Sequence, residues 1–108
     1  MSVQIPALST QYVQVPVRAT SGGLSYNPTA DTVQMAFLAG WAPPGSGDWK
    51  TASWAGTIAV NGIYSAECLI GPQNGGVSLA VGSYTAWLKI TDNPQVPVFI
   101  TGTLTIIP

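Results

Sequence analysis

Catalysis needs side chains that move protons, attack electrophiles or hold metals, and this sequence has few of them. It contains no histidine, the residue best suited to general-base and metal-ligand roles near neutral pH. Ser/His/Asp and Cys/His sites cannot be assembled from this chain. Four carboxylates remain, Asp31, Asp48, Glu67 and Asp92. The three aspartates stand at turns or loop edges, where Asp is favoured because it bonds the local backbone. Two carboxylates would have to meet for glycoside hydrolysis, and nothing in the spacing pairs them. Calcium needs clustered oxygen ligands, and no such cluster is written here. Cys68 is the one cysteine; it has no internal disulfide partner and reads as a small buried hydrophobe. Gly22-Gly23 and Gly75-Gly76 fall in turns and open no helix, so neither is a phosphate loop. In Asn27-Pro28-Thr29 the central proline blocks glycosylation. These residues predict a protein that is not an enzyme and takes no metal or cofactor.

What the chain has instead is apolar and aromatic surface. Of its 108 residues 46% are hydrophobic and only 6% charged, against about 25% charged in an average soluble domain. So little charge leaves a free monomer poorly protected against association, and suits a chain held in a larger assembly. Three basic residues make no footprint for phosphates, so no nucleic-acid partner is expected. No run of about 20 apolar residues is present, so no membrane span is expected. The opening Met1-Ser2-Val3-Gln4-Ile5-Pro6 lacks the basic and apolar regions of a signal peptide, which predicts synthesis in a cytoplasm without export on its own.

Four tryptophans are candidates for contact chemistry. Trp54 lies on a short middle strand and suits a core position. Trp41 and Trp49 bracket the loop from Gly40 to Asp48, centred on Pro43-Pro44-Gly45-Ser46-Gly47. They either fold that loop back onto the domain or present it to a partner, and aromatic loops of this kind also bind sugars.

The elements that must carry these residues are strands. Apolar residues alternate at Val13, Val15 and Val17, at Val33, Met35 and Phe37, at Tyr64, Ala66, Cys68 and Ile70, and at Tyr84, Ala86, Leu88 and Ile90; a period of two is the strand signature. Pro16 places the first of these at a sheet edge. Lys50 to Trp54 and Thr57 to Val60 read as short strands, Asn61-Gly62 as a hairpin turn, and Val77 with Leu79 as another brief strand. No window has a helical period. About seven short antiparallel strands with regular turns predict an all-β, immunoglobulin-like sandwich over residues 11–108. Residues 1–10 read as an extended arm that reaches a neighbour's sheet edge.

The last hairpin carries the principal expectation for an interface. Val96, Val98, Ile100, Leu104 and Ile106 read as one inward stripe. Strict alternation then puts Trp87 and Phe99 together on the outer face, flanked by Thr85, Thr101 and Thr103, as an apolar patch for a partner. The rival placement has the arm or the Gly40–Asp48 loop covering them. Trp87, Phe99, Thr101, Trp41 and Trp49 are the candidate partner interface.

Two resemblances extend this reading. Gly82-Ser83-Tyr84-Thr85-Ala86-Trp87 resembles the entry to the penultimate strand of immunoglobulin-like domains, with Tyr84 where a tyrosine corner would stand. Over most of the chain after Thr10, Val17-Arg18-Ala19-Thr20, Asn27-Pro28-Thr29-Ala30-Asp31-Thr32-Val33, Gly47-Asp48-Trp49, Leu69-Ile70-Gly71-Pro72 and Ile90-Thr91-Asp92-Asn93-Pro94 with Val96-Pro97-Val98 resemble small structural proteins of tailed phages that infect actinobacteria. Those genes lie among the head and connector genes. The resemblance implies a virion component whose partners are other virion proteins and copies of itself. It leaves capsid decoration, neck and tail open.

Overall fold

The computed structural model describes residues 2–18, 20–21, 24–25, 28–56, 63–91 and 95–108. Ten strands are formed: β1 (Ser2–Pro6), β2 (Gln11–Val17), β3 (Thr20–Ser21), β4 (Leu24–Ser25), β5 (Thr32–Leu38), β6 (Lys50–Thr51), β7 (Ser53–Trp54), β8 (Tyr64–Ile70), β9 (Gly82–Thr91) and β10 (Val98–Ile107). The only helical pieces among the described residues are single 3-10 turns at Pro28–Ala30 and Ser46–Asp48. The strand expected at residues 57–60, its turn at 61–62 and the turn at 92–94 lie outside the described residues.

Two sheets face each other as a sandwich. One has the order β1-β10-β9-β5-β6 and the other β2-β8-β7, with β3 and β4 forming a separate small hairpin. The alternating valines of β2 and the Ala66, Cys68 and Ile70 of β8 point inward. They meet Val33, Met35 and Phe37 of β5, Leu88 and Ile90 of β9, and Leu104 and Ile106 of β10 in one core. Each large aliphatic side chain so buried stabilises the fold by about 1.5–3 kcal/mol relative to exposure. Pro16 sits on the edge strand of the smaller sheet, where its missing N–H costs no ladder bond.

The single strand expected at Lys50–Trp54 is two. Lys50 and Thr51 pair with β5 in the larger sheet, while Ser53 and Trp54 pair with β8 in the smaller. The chain changes sheets at Ala52, whose N–H donates to the Val33 carbonyl at 3.2 Å. Trp54 packs partly buried against the core, and its Nε1 donates to the Asp31 carbonyl at 3.0 Å. Val77 forms only a bridge to Ile70 rather than a strand. The tyrosine corner is present: the Tyr84 hydroxyl donates to the Ala80 carbonyl, four residues upstream, at 2.7 Å. Cys68 is buried with its thiol toward the Thr51 carbonyl, and burial pushes its pKa up to about 11.

Within the segment expected to be an arm, the described residues 2–10 do not reach outward. Ser2–Pro6 add to β10 in parallel, from Ser2 opposite Thr103 to Pro6 opposite Ile107, so the sheet is not wholly antiparallel. Ile5 is 1% exposed and belongs to the core, so the segment carries part of the hydrophobic stabilisation itself. The link to β2 is pinned against the exit of β8. Ala7 N–H donates to Ile107 at 2.7 Å, and Gln73 N–H donates to Thr10 Oγ1 at 3.2 Å. Gly71 lies beneath this link with φ at +138°, and a Cβ there would collide with the Ser9 carbonyl and Thr10.

Candidate interaction surface

The surface is shaped by one irregularity in β10. Pairing with β9 runs Val98 to Lys89, Phe99 to Leu88 and Ile100 to Trp87, then resumes with Gly102 opposite Ala86, leaving Thr101 as an extra residue. Gly102 has φ at +142°, a conformation glycine adopts without steric cost. A bulge switches which face each side chain takes. Leu104 and Ile106 beyond it point into the core, while Val98 and Ile100 before it point outward.

The inward stripe expected from Val96 to Ile106 is therefore broken, and the expected Trp87–Phe99 pairing is corrected. Trp87 shares the outer face with Ile100. Phe99 stands with Leu88 on the inner face, at the open end of the sandwich. There it lines a groove of about 430 Å³ with Val15, Pro16, Val17, Leu88 and Thr101, whose one charged wall is Arg18 and whose rim Ile100 also reaches. Thr101 is not on the outer patch; its Oγ1 donates to the Ala86 carbonyl at 3.2 Å.

The two loop tryptophans part company. Trp49 folds back, its ring centroid 4.6 Å from Lys89 Nζ, a cation–π distance. Trp41 is 71% exposed and touches no ring or cation among the described residues. The centre of the outer face is covered, since Ala36 and Thr85 are buried. Ala36 lies directly across from Trp87. The Trp87 ring is half-buried and its Nε1 is buried with no hydrogen-bond partner among the described residues. Past this covered centre, Val96, Val98 and Ile100 remain exposed, and Phe99 between them is exposed on the opposite face.

Two of the carboxylates bond within the fold. Asp48 accepts the Gly45 N–H at 2.8 Å, closing the tip of the proline-glycine loop. Glu67 accepts from Gln14 Nε2 at 3.2 Å across β2 and β8. Asp31 follows the 3-10 turn, its N–H donating to Pro28 at 2.9 Å. Asp92 lies outside the described residues. Among the described residues no three His, Cys, Asp or Glu side chains gather as a metal site. No helix among them is long and apolar enough to cross a membrane.

The bulge was missed at the level of sequence, although a lone glycine inside a strand pattern is its signal. With it were missed the groove and the partnership of Ile100 with Trp87. No family model, curated protein or solved structure matches this chain.

Proposed function

We propose that this protein is a non-enzymatic structural component of a tailed-phage virion, associated with the head. The observation that carries the reading is the set of exposed apolar residues Val96, Val98, Phe99 and Ile100 on a domain with only seven charged side chains. A surface of this kind favours permanent burial against other protein. The resemblance to structural proteins of actinobacterial phages supplies the virion as the setting. Other virion proteins and further copies of the chain are then its partners.

The test is quantitative mass spectrometry of purified particles of the phage that encodes it. Copies in the hundreds correspond to a capsid decoration, whereas about six or twelve correspond to a cyclic ring at the neck. Absence from the particle overturns the proposal.

Glycan binding is favoured by one separate observation, the exposed ring of Trp41 beside Pro43-Pro44. Glycan-array binding that is lost in Trp41→Ala supports that reading, and an array with no signal removes it.

A further inference from the structure

The edge of β10 is only half covered. β1 occupies it from Thr103 to Ile107, so the stretch before Thr103 has no strand on that side among the described residues. The Pro97 carbonyl accepts from Ile90 N–H at 3.1 Å, so it points toward β9. Backbone groups alternate sides along an antiparallel strand. Phe99 therefore also points its amide and carbonyl toward β9, while Val98 and Ile100 direct theirs to the open side.

Exposed strand edges are ordinarily guarded by lysine, proline or a covering element. The edge strands β1 and β2 carry such guards. β2 carries Pro16, and β1 ends at Pro6 with Ser2 and Gln4 on its exposed side. The open stretch of β10 is bounded by Pro97 and has Arg18 across the groove, but from Val98 to Ile100 it carries no lysine, proline or covering strand among the described residues. No charged residue occurs from Gln95 to Pro108, and Val98, Phe99 and Ile100 are 44%, 49% and 51% exposed.

We propose that two copies of this chain associate by antiparallel pairing of these open edges, with Phe99 opposite its counterpart. The stretch is self-complementary in this register. A two-fold axis through Phe99 sets Val98 opposite the counterpart of Ile100, and these are the residues whose amides and carbonyls point outward. Four hydrogen bonds then form between backbones that have no strand beside them among the described residues. The two phenylalanines meet at the mouths of the grooves, and valine meets isoleucine on the outer face beside Trp87. Every exposed apolar side chain of the stretch thus acquires an apolar neighbour by one symmetry operation, as an isologous interface requires. The pairing ends at Pro97 and Thr101 on each side, because Ser2 holds the next edge position at Thr103. Five residues a side make a modest interface of the weak class. This inference is independent of the virion reading and can fail or succeed without it.

The test is sedimentation equilibrium of the full chain from micromolar to millimolar concentration. A monomer–dimer equilibrium is expected. Ile100→Lys should weaken it at least about tenfold, or roughly 1.4 kcal/mol, with the circular dichroism spectrum unchanged. Val81→Lys, at an exposed site outside the stretch, should leave it intact. Phe99→Cys should oxidise to a symmetric disulfide dimer, because facing residues of a non-hydrogen-bonded pair lie about 4.5 Å apart at Cα. A chain that is monomeric throughout overturns the proposal and leaves the edge to another occupant or none. So does a dimer that tolerates Ile100→Lys and leaves Phe99→Cys unlinked.

Discussion

Ile100 stands directly across from Trp87 on the outer face of the five-stranded sheet, whereas its neighbour Phe99 points into the mouth of the sandwich. That division follows from the extra residue at Thr101 and the positive φ of Gly102. It accounts for an apolar row that shows on both faces of the sheet at one end of β10.

Replacing Gly102 should therefore be costly out of proportion to its exposure. Gly102→Val places a β-branched residue at φ +142°, with an expected loss of about 1–3 kcal/mol. Urea unfolding measures it. A loss below the error of the measurement would mean the bulge relaxes.

Trp87 holds a buried donor without an acceptor among the described residues. Trp87→Phe removes that donor and keeps most of the ring. Stability should be unchanged or higher by up to about 1 kcal/mol, while Trp87→Ala should lower it by loss of packing over Ala36. Thermal melts of both variants separate the two effects, and a Phe variant as unstable as the Ala variant would contradict the assignment.

The N-terminal strand should be indispensable. Ile5→Ala should cost about 2–5 kcal/mol, the range for truncating a fully buried aliphatic side chain. Removing residues 1–6 should cost more, since the parallel ladder to β10 goes with them. Folding of the truncated chain with undiminished stability would restore the picture of a free arm.

Cys68 gives a pH dependence with a definite sign. Its thiol titrates near 9 when unfolded and about 11 when folded, so the folded state holds the proton more tightly. Its contribution is complete below about pH 9 and is lost as pH rises through 11. The difference in unfolding free energy between the wild type and Cys68→Ala should shrink across that window. A constant difference would place the thiol in contact with water. Native Cys68 should also resist alkylation at neutral pH, as the thiolate is the reactive form.

Much of the fold is legible in the sequence because strands buried on one face announce themselves by alternation. Val13 and Val15, Val33 to Phe37, and Tyr84 to Ile90 all face as their spacing predicts, and Tyr84 closes its corner. Alternation fails where the chain adds a residue or changes partners. Thr101 shifts the parity of everything before it, so Phe99 exchanges faces with Ile100. Ala52 carries the chain between sheets without a turn signal. Ser2–Pro6 belong to the core through Ile5, with Val3 partly buried beside it, and so short an inward pattern does not reveal a partner strand a hundred residues away. Trp49 and Trp41 look equivalent in sequence. Only Lys89, brought alongside by the sheet, draws one of them down.

The parallel pairing of β1 with β10 also decides how the domain bears tension. Ser2 lies beside Thr103 and Pro6 beside Ile107, so a pull that draws Ser2 and Ile107 apart runs along the strands. The backbone bonds between them are then sheared together rather than unzipped one after another. Load applied along that line therefore meets the whole five-residue ladder at once.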